Sequence, residues 1–299
     1  MTSSLVVVTG ANGLVGSHVV AALSERGATV RAVVRRAGTA PDLTGVEEHV
    51  GDFSDPAFAA QVVAGADALV TTVHPLSGDR DEQRRIGLDG TLTIAGAAGS
   101  AGVPLIVHIS TAGVYDRSPG VGDVTEESAY VPDDAGDYSV VKRDIDEALG
   151  RMGGTTRVLV RPPMILGPGE SSVWNTVHPA AVAEDDSRRH AVADATAAWV
   201  HVTDLATLTA DLATGAIPLR DDVSAGPVLG GCTPVNVAAP RATQRDYLGA
   251  VCDALGVEPV WEDKPAWTGS IRADRALGWG WTPRVSLDEA LAELRSGLT

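Results

Sequence analysis

Tyr138 and Lys142, four apart in the run YSVVK, are the residues best placed by type and spacing to move a proton together. On a helix, positions i and i+4 share a face, so a phenol and an ammonium there reach one bound molecule. A free phenol titrates near 10 and is a poor acid or base at neutrality. A neighbouring ammonium favours the phenolate and would lower that value, letting Tyr138 exchange a proton with a carbonyl or alcohol oxygen. The same spacing also occurs on ordinary solvated helix faces, and the pair alone leaves both readings open. The chain holds only two lysines against 21 arginines, so a lysine at this offset is less expected by chance. Upstream, VHISTAGVY at 107–115 reads as a strand that delivers Ser110 and Thr111 at its carboxyl end. Open parallel sheets bind ligands at that edge. Either hydroxyl can hold a substrate oxygen, or simply cap a turn.

A second constellation is VVVTGANGLVG at 6–16. Gly10 permits a tight turn, Gly13 lets backbone approach a pyrophosphate, and Gly16 lets helix and strand pack closely. Asn12 sits in the loop, and the free amides of Leu14, Val15 and Gly16 open the helix. With a strand before it and a helix after it, this loop reads as a phosphate cradle. The second strand ends Val33-Val34-Arg35-Arg36, with no carboxylate to bind a ribose hydroxyl. Two guanidiniums there suit a 2′-phosphate, which favours NADP(H) and leaves NAD(H) possible. The competing reading is two solvated arginines. Asp52, beside Phe53 after the third strand, offers a carboxylate to an adenine amino group or belongs to an ordinary turn.

Such groups need elements to position them. Leu5–Thr9, Thr29–Val34, Val46–Val50, Asp67–Val73, Pro104–Ser110 and Thr156–Arg161 read as short strands. Leu14–Arg26, Asp81–Ala101 and Asp137–Met152 carry helical spacing between them. Alternating strands and helices predict an α/β fold, a Rossmann-type doubly wound parallel sheet. After Arg161 prolines interrupt the pattern. One more strand–helix unit falls at Trp199–Thr214, and helices at Arg241–Leu255 and Ser286–Arg295. The expected division is a dinucleotide-binding domain over 1–161, joined again by 196–215, and a smaller substrate-binding region over 162–195 and 216–299.

Composition narrows the classes of partner. A net charge of -16 in 299 residues repels phosphate backbones and argues against nucleic acid. Two cysteines without metal-ligand spacing read as free thiols in a reducing compartment, with no metal site. Residues 1–8 show no leader, and no apolar run reaches membrane length. The expectation is a cytoplasmic protein with a small-molecule partner and no membrane association.

The chain resembles the extended short-chain dehydrogenase/reductase family, also called the NAD-dependent epimerase/dehydratase family. The resemblance rests on TGANGLVG, GDFSD at 51–55, STAGVYD at 110–116, YSVVK at 138–142, RPPMILGPG at 161–169 and WVHVTDLA at 199–206, in the family's order. LGW at 277–279 and TPRVSLDEAL at 282–291 resemble its C-terminal end. The resemblance implies that Tyr138 is the acid/base, that Lys142 binds nicotinamide ribose and lowers the tyrosine pKa, and that Thr111 holds substrate. It also implies that Thr71, Thr72, Val73 and the Arg161-Pro162-Pro163 segment line the cofactor, and that homodimers are possible. Three departures stand out. Gly87 replaces the asparagine of Asn-x-x-Gly-Thr. The fourth strand leads into His74 where small residues are usual. Thr196-Ala197-Ala198 holds no arginine of the kind that grips a sugar-nucleotide diphosphate. Met164, Trp174, His178 and Trp199 are candidate pocket walls, with aromatic core packing an equal account of the last three. The implied activity is reduction of a ketone or aldehyde, or oxidation of the alcohol. The alternatives are a sugar-nucleotide epimerase or dehydratase, and a non-catalytic dinucleotide-binding regulator.

Overall fold

A computed structural model describes residues 3–75 and 78–298. In the first half, mostly apolar, β-branched runs form the strands, and aspartate caps start α2 and α3 while glycine precedes α1 and α5. β1 (Leu5–Thr9) leads to α1 (Leu14–Glu25), followed by β2 (Thr29–Val34) and β3 (Val46–Val50). α2 (Pro56–Val63) starts where the Asp55 carboxylate accepts from the Ala57 and Phe58 amides at 2.8 and 2.9 Å, with proline at the first helical position. β4 (Ala68–Thr71) precedes a long helical run: α3 (Arg80–Gln83), a π turn at Arg84–Asp89, and α4 (Gly90–Ser100). Then come β5 (Leu105–Ile109), α5 (Asp137–Arg151), β6 (Thr156–Arg161) and β7 (Met164–Leu166).

The second half is more broken. A π turn at Val173–Val177 enters α6 (His178–Glu184), followed by β8 (His190–Ala191), β9 (Trp199–His201) and α7 (Val202–Ala213). β10 (Cys232–Asn236), α8 (Gln244–Leu255), β11 (Val260–Trp261), α9 (Asp274–Gly278) and α10 (Leu287–Leu298) complete it. Cys232 and Cys252 are both free thiols.

Seven strands form one all-parallel sheet in the order β10-β6-β5-β4-β1-β2-β3. The order reverses between β1 and β4, which opens a crevice beyond the carboxyl ends of both strands. One sheet face packs on α1 and α7, the other on α2, α4 and α5. A separate core joins β7 and β9 to α6, α8 and α10. Trp199 belongs to it, 2% exposed, with its indole N–H donating to the Pro240 carbonyl at 3.0 Å. It is a core residue, not the expected pocket wall. The sheet also takes one strand from the segment expected to cover substrate: β10 pairs with β6, Cys232 opposite Arg157 through Asn236 opposite Arg161. Asp204 at the start of α7 accepts from the Arg284 and Val285 amides at 3.0 and 3.1 Å, fastening the C-terminal segment to the sheet layer. Among the described residues, no helix is long and apolar enough to cross a membrane, and no cluster of His, Cys, Asp and Glu is grouped to hold a metal.

Candidate active site

The glycine turn is shaped by two close approaches. Gly10 has φ +66°, the left-handed region, and a Cβ there would meet Thr72 Oγ1 and Val73 Cγ2 at 2.8 Å. Thr72 Oγ1 donates to the Thr9 carbonyl at 2.7 Å and so braces the turn. A Cβ on Gly16 would stand 2.0 Å from the Gly10 carbonyl oxygen, which fixes how near α1 comes to β1. Gly13 is the N-cap; no side chain caps α1 and no acidic residue lies in its first turn. The amides of Leu14, Val15 and Gly16 thus open a positive helix end to the crevice. Asn12 Nδ2 donates to Thr39 Oγ1 at 3.3 Å and ties this turn to the loop after β2.

That loop carries Arg35 and Arg36, both exposed. The nearby Glu48 carboxylate accepts from the Gly38, Thr39 and Ala40 amides at 2.9, 3.1 and 3.0 Å, so it is committed to shaping the loop. The Asp52 carboxylate accepts from the Ser54 hydroxyl at 2.6 Å and amide at 2.9 Å; these bonds, with Arg35 and Arg85 nearby, hold it below the usual carboxylate range. Arg85, from the π turn, is a third cation at this end that the sequence pattern did not single out. The Phe53 ring is buried against Gly90, leaving its backbone to face the adenosine side.

The proton-transfer residues converge from β5 and α5. Arg80 pairs with Asp137 at 2.6 Å and Arg84 pairs with Asp144, clamping the start of α5 to the α3 run. Tyr138, Lys142 and Asp146 then fall on one helix face. Lys142 is 2% exposed and donates from Nζ to the Ile109 carbonyl at 2.8 Å. Burial pushes its pKa down to about 8, with the Asp146 carboxylate opposing. Tyr138 is half-buried, and burial pushes its phenol above the ordinary value; a hydrogen bond with the Thr111 hydroxyl opposes that shift and Asp146 adds to it. The expected lowering by Lys142 is therefore not what governs the phenol, which is protonated at neutral pH. Thr111 Oγ1 also accepts from the Gly113 amide at 3.0 Å. Ser110 is buried beside Asp146, but neither its Oγ nor Asp146 Oδ1 has a hydrogen bond of normal geometry.

Two expected cofactor contacts are employed elsewhere. The Arg161 side chain, 1% exposed, turns under the site: Nε donates to Asp146 Oδ2 at 2.8 Å, and the guanidinium also meets the hydroxyls of Tyr115, at 2.7 Å, and Tyr130. Tyr115 in turn donates to Asn236 Oδ1 on β10 at 2.9 Å. A buried charge so fully paired cannot also line nicotinamide. The backbone of this segment is near the site, where the Pro162 carbonyl accepts from the Ala112 amide at 2.8 Å. Thr71 is buried on the sheet face that α5 covers, its hydroxyl 2.8 Å from His108 Nδ1. Asp146 and His108 were not picked out from sequence. The only cue was that Asp146 follows Lys142 by one further helical step.

His74 stands against Tyr138, ring centroids 4.9 Å apart and planes at 89°. Burial, and then the Lys142 ammonium, push its pKa down to about 3. Trp174 and His178 pack with Tyr247 of α8, whose hydroxyl donates to the Trp174 carbonyl at 2.8 Å. That hydroxyl has one proton, so His178 Nδ1, 3.0 Å away, is the donor of the second bond. Met164 and Trp174 are half-buried against the C-terminal core.

A parallel sheet with a glycine turn at its reversal point, an uncapped helix behind that turn, and a Tyr–Lys pair beside the β5 edge define a dinucleotide-binding oxidoreductase scaffold. The turn fits such a ligand, because the helix behind it opens with amides that no side chain caps and no acidic residue screens. The chain belongs to the NAD(P)H-binding family, whose model matches residues 10–202. It is 27% identical over 299 residues to the ceramide reductase of Caulobacter vibrioides, covering 93% of this chain and 86% of that one. It is 34% identical over 170 residues to sterol demethylase protein B of Methylococcus capsulatus, a match spanning about half of each, 54% of this chain and 52% of that one. Among solved structures, the Bordetella bronchiseptica enzyme WbmH in complex with NAD+ aligns with a TM-score of 0.79 at 21% identity, over 99% of this chain and 98% of that one; this likeness is one of fold.

Proposed function

We propose that this chain is an NADP(H)-dependent reductase of ketones or aldehydes, with Tyr138 as proton donor, also able to run the alcohol oxidation. The observation that carries the reading is the geometry at the carboxyl edge of β5: Tyr138 faces the Thr111 hydroxyl, and Lys142, on the same face of α5, is held by the Ile109 carbonyl at 2.8 Å. A protonated phenol is what a carbonyl oxygen needs as it gains electrons. Bound NADPH supplies the hydride. Thr111 orients the substrate oxygen toward the phenol, and Lys142, held by the Ile109 carbonyl, presents one of its two remaining N–H groups to the nicotinamide ribose. The amides at the start of α1 hold the diphosphate, and Arg35, Arg36 and Arg85 surround the adenosine end, where the Glu48 carboxylate is taken up by loop amides. That charge pattern supports the phosphorylated cofactor.

The extensive likeness to a ceramide reductase supports a carbonyl substrate over a nucleotide-linked sugar. So does the stretch before β9. Ala197 and Ala198 are buried, while nearby Arg241 is engaged with the Thr196 hydroxyl at 2.9 Å and the Asp194 carbonyl at 2.8 Å. The test is NADPH oxidation over a panel of ketones, aldehydes and nucleotide-linked sugars, with Tyr138→Phe beside wild type. Tyr138→Phe should lose about 10²–10⁴-fold in turnover while binding NADPH normally. Near-full activity of that variant, or better turnover of a nucleotide-linked sugar than of any simple carbonyl, overturns the reading.

A further inference from the structure

Two departures from the family pattern, His74 and Gly87, meet each other in space. A Cβ on Gly87 would stand 2.8 Å from His74 Nδ1 and 3.1 Å from His74 Cε1. The imidazole therefore occupies the volume that a side chain at 87 would take. The backbone that receives it is the π turn Arg84–Asp89, an irregularity found often at functional sites.

The hydrogen bonds fix the state of the ring. The Gln83 amide nitrogen donates to the Gly78 carbonyl at 3.1 Å, which orients its Oε1 toward His74 Nε2 at 3.4 Å. An amide oxygen only accepts, so the ring proton is on Nε2 and Nδ1 is a bare acceptor. Nδ1 is buried and has no partner among the described residues. A buried acceptor left unmet is costly, so a proton donor is expected to reach it when the site is assembled. The groups near it are the Tyr138 ring and the Lys142 ammonium from α5, Gln83 from α3, and His108 from β5. His108 is also uncharged, because burial and then Lys142 push its pKa well below the ordinary value, and its Nε2 has no partner either. Lys142 spends one of its three N–H groups on the Ile109 carbonyl, leaving it as the donor on hand.

We infer that His74 is a positioning residue for the Tyr138–Lys142 pair: its ring sets the plane of the phenol, its Nδ1 accepts from the Lys142 ammonium through an ordered water, and Gly87 is glycine because His74 takes its side-chain space. This inference rests on the assignment of Tyr138 and Lys142 as the working pair. The suppressed basicity of the imidazole is what the role requires, since a protonated ring beside Lys142 would repel the ammonium and offer no acceptor.

The experiment compares His74→Ala, His74→Asn, His74→Phe, Gly87→Asn and the double variant His74→Ala/Gly87→Asn in the full chain. kcat and KM are measured separately across pH, NADPH affinity by fluorescence, and melting temperature without cofactor. His74→Ala should lower kcat by about 10- to 100-fold, as expected for a misplaced working pair, and shift its alkaline limb, with NADPH affinity unchanged. His74→Asn, whose amide oxygen can lie where Nδ1 lies, should recover most of kcat; His74→Phe, which keeps a ring but no acceptor, should not. Gly87→Asn alone should melt lower, and adding His74→Ala should restore the melting temperature, a coupling that needs no activity to read. Full kcat with an unmoved limb in His74→Ala, equal rescue by Phe and Asn, or additive melting shifts in the double variant overturn the inference. If His74→Ala is intact while Tyr138→Phe is dead, only the role of His74 fails; if both are fully active, the assignment of the pair itself fails.

Discussion

Replacing Asp146 with asparagine tests the buried charge system beneath the site in two independent ways. Asp146 Oδ2 lies 2.8 Å from Arg161 Nε, and the two side chains are 0% and 1% exposed. Asp146→Asn keeps the shape and leaves a buried guanidinium without its counter-charge. Breaking such a pair costs about 3–5 kcal/mol. Arg161 retains the hydroxyls of Tyr115 and Tyr130, which places the expected loss at the lower end. An unfolding entropy of about 2.1 cal/mol/K per residue amounts to about 0.6 kcal/mol/K for 299 residues, so about 3 kcal/mol lowers the melting temperature by about 5 °C. The second effect is on Lys142. Asp146 is the group that opposes burial there, where the pKa stands at about 8. Without that carboxylate the ammonium gives up its proton at lower pH, and the alkaline limb of kcat/KM should move the same way. Scanning fluorimetry reads the first effect and a pH series the second. A variant that melts with wild type and keeps its alkaline limb in place would refute this account of the charge system.

Three other expectations follow from the site. In wild type, kcat/KM for carbonyl reduction should fall as pH rises through about 8, because the free enzyme then loses the Lys142 charge while Tyr138 remains protonated; a flat profile to pH 10 contradicts the assignment. Gly16→Ala places a Cβ 2.0 Å from an oxygen where ordinary contact begins at 3.4 Å, so α1 must retreat by 3.4 − 2.0 = 1.4 Å; dinucleotide affinity should drop about 100-fold, and fluorescence titration with NADPH checks this. Arg35→Ala with Arg36→Ala should weaken NADPH by about tenfold or more, since bonds to a charged group contribute about 1.5–3 kcal/mol each, and should leave NADH nearly unchanged; tighter binding of NADH by wild type would contradict the cofactor assignment.

Much of this was legible in the chain because local chemistry decided it. β1, β2, β3 and β6 begin and end where the sequence pattern sets them, and the offset of Tyr138 from Lys142 placed both on one face of α5. β10 was illegible for a physical reason. CTPVN contains Pro234, which argues against a central strand, but β10 is the sheet's edge, where a missing amide donor is tolerated. Arg161 was visible as a residue at a strand end, but its partner lies 15 residues back on a helix, and only packing brings them together. Thr71 and Thr72 were read as one block, but strand side chains alternate in direction, so the Thr71 hydroxyl meets His108 while that of Thr72 braces the glycine turn. His74 and Gly87 were each noticed alone. That one fills the other's space is a statement about volume, which the linear sequence does not carry.

The position of β10 at the edge of the sheet has a consequence for the order in which the protein is made. β6 is buried along its whole length, and its outer edge is closed only by β10. Cys232 follows Arg161 by 232 − 161 = 71 positions, so at about 5–20 residues per second a ribosome takes about 4–14 s to reach the closing strand. Throughout that interval the nascent sheet presents an apolar parallel edge, and the Arg161 cluster awaits Asn236, which reaches it through Tyr115. Sheet closure and completion of the buried polar network are thus a single late event, and a chain released before residue 236 would carry the glycine turn and the Tyr–Lys helix on a sheet still open to pairing with its neighbours.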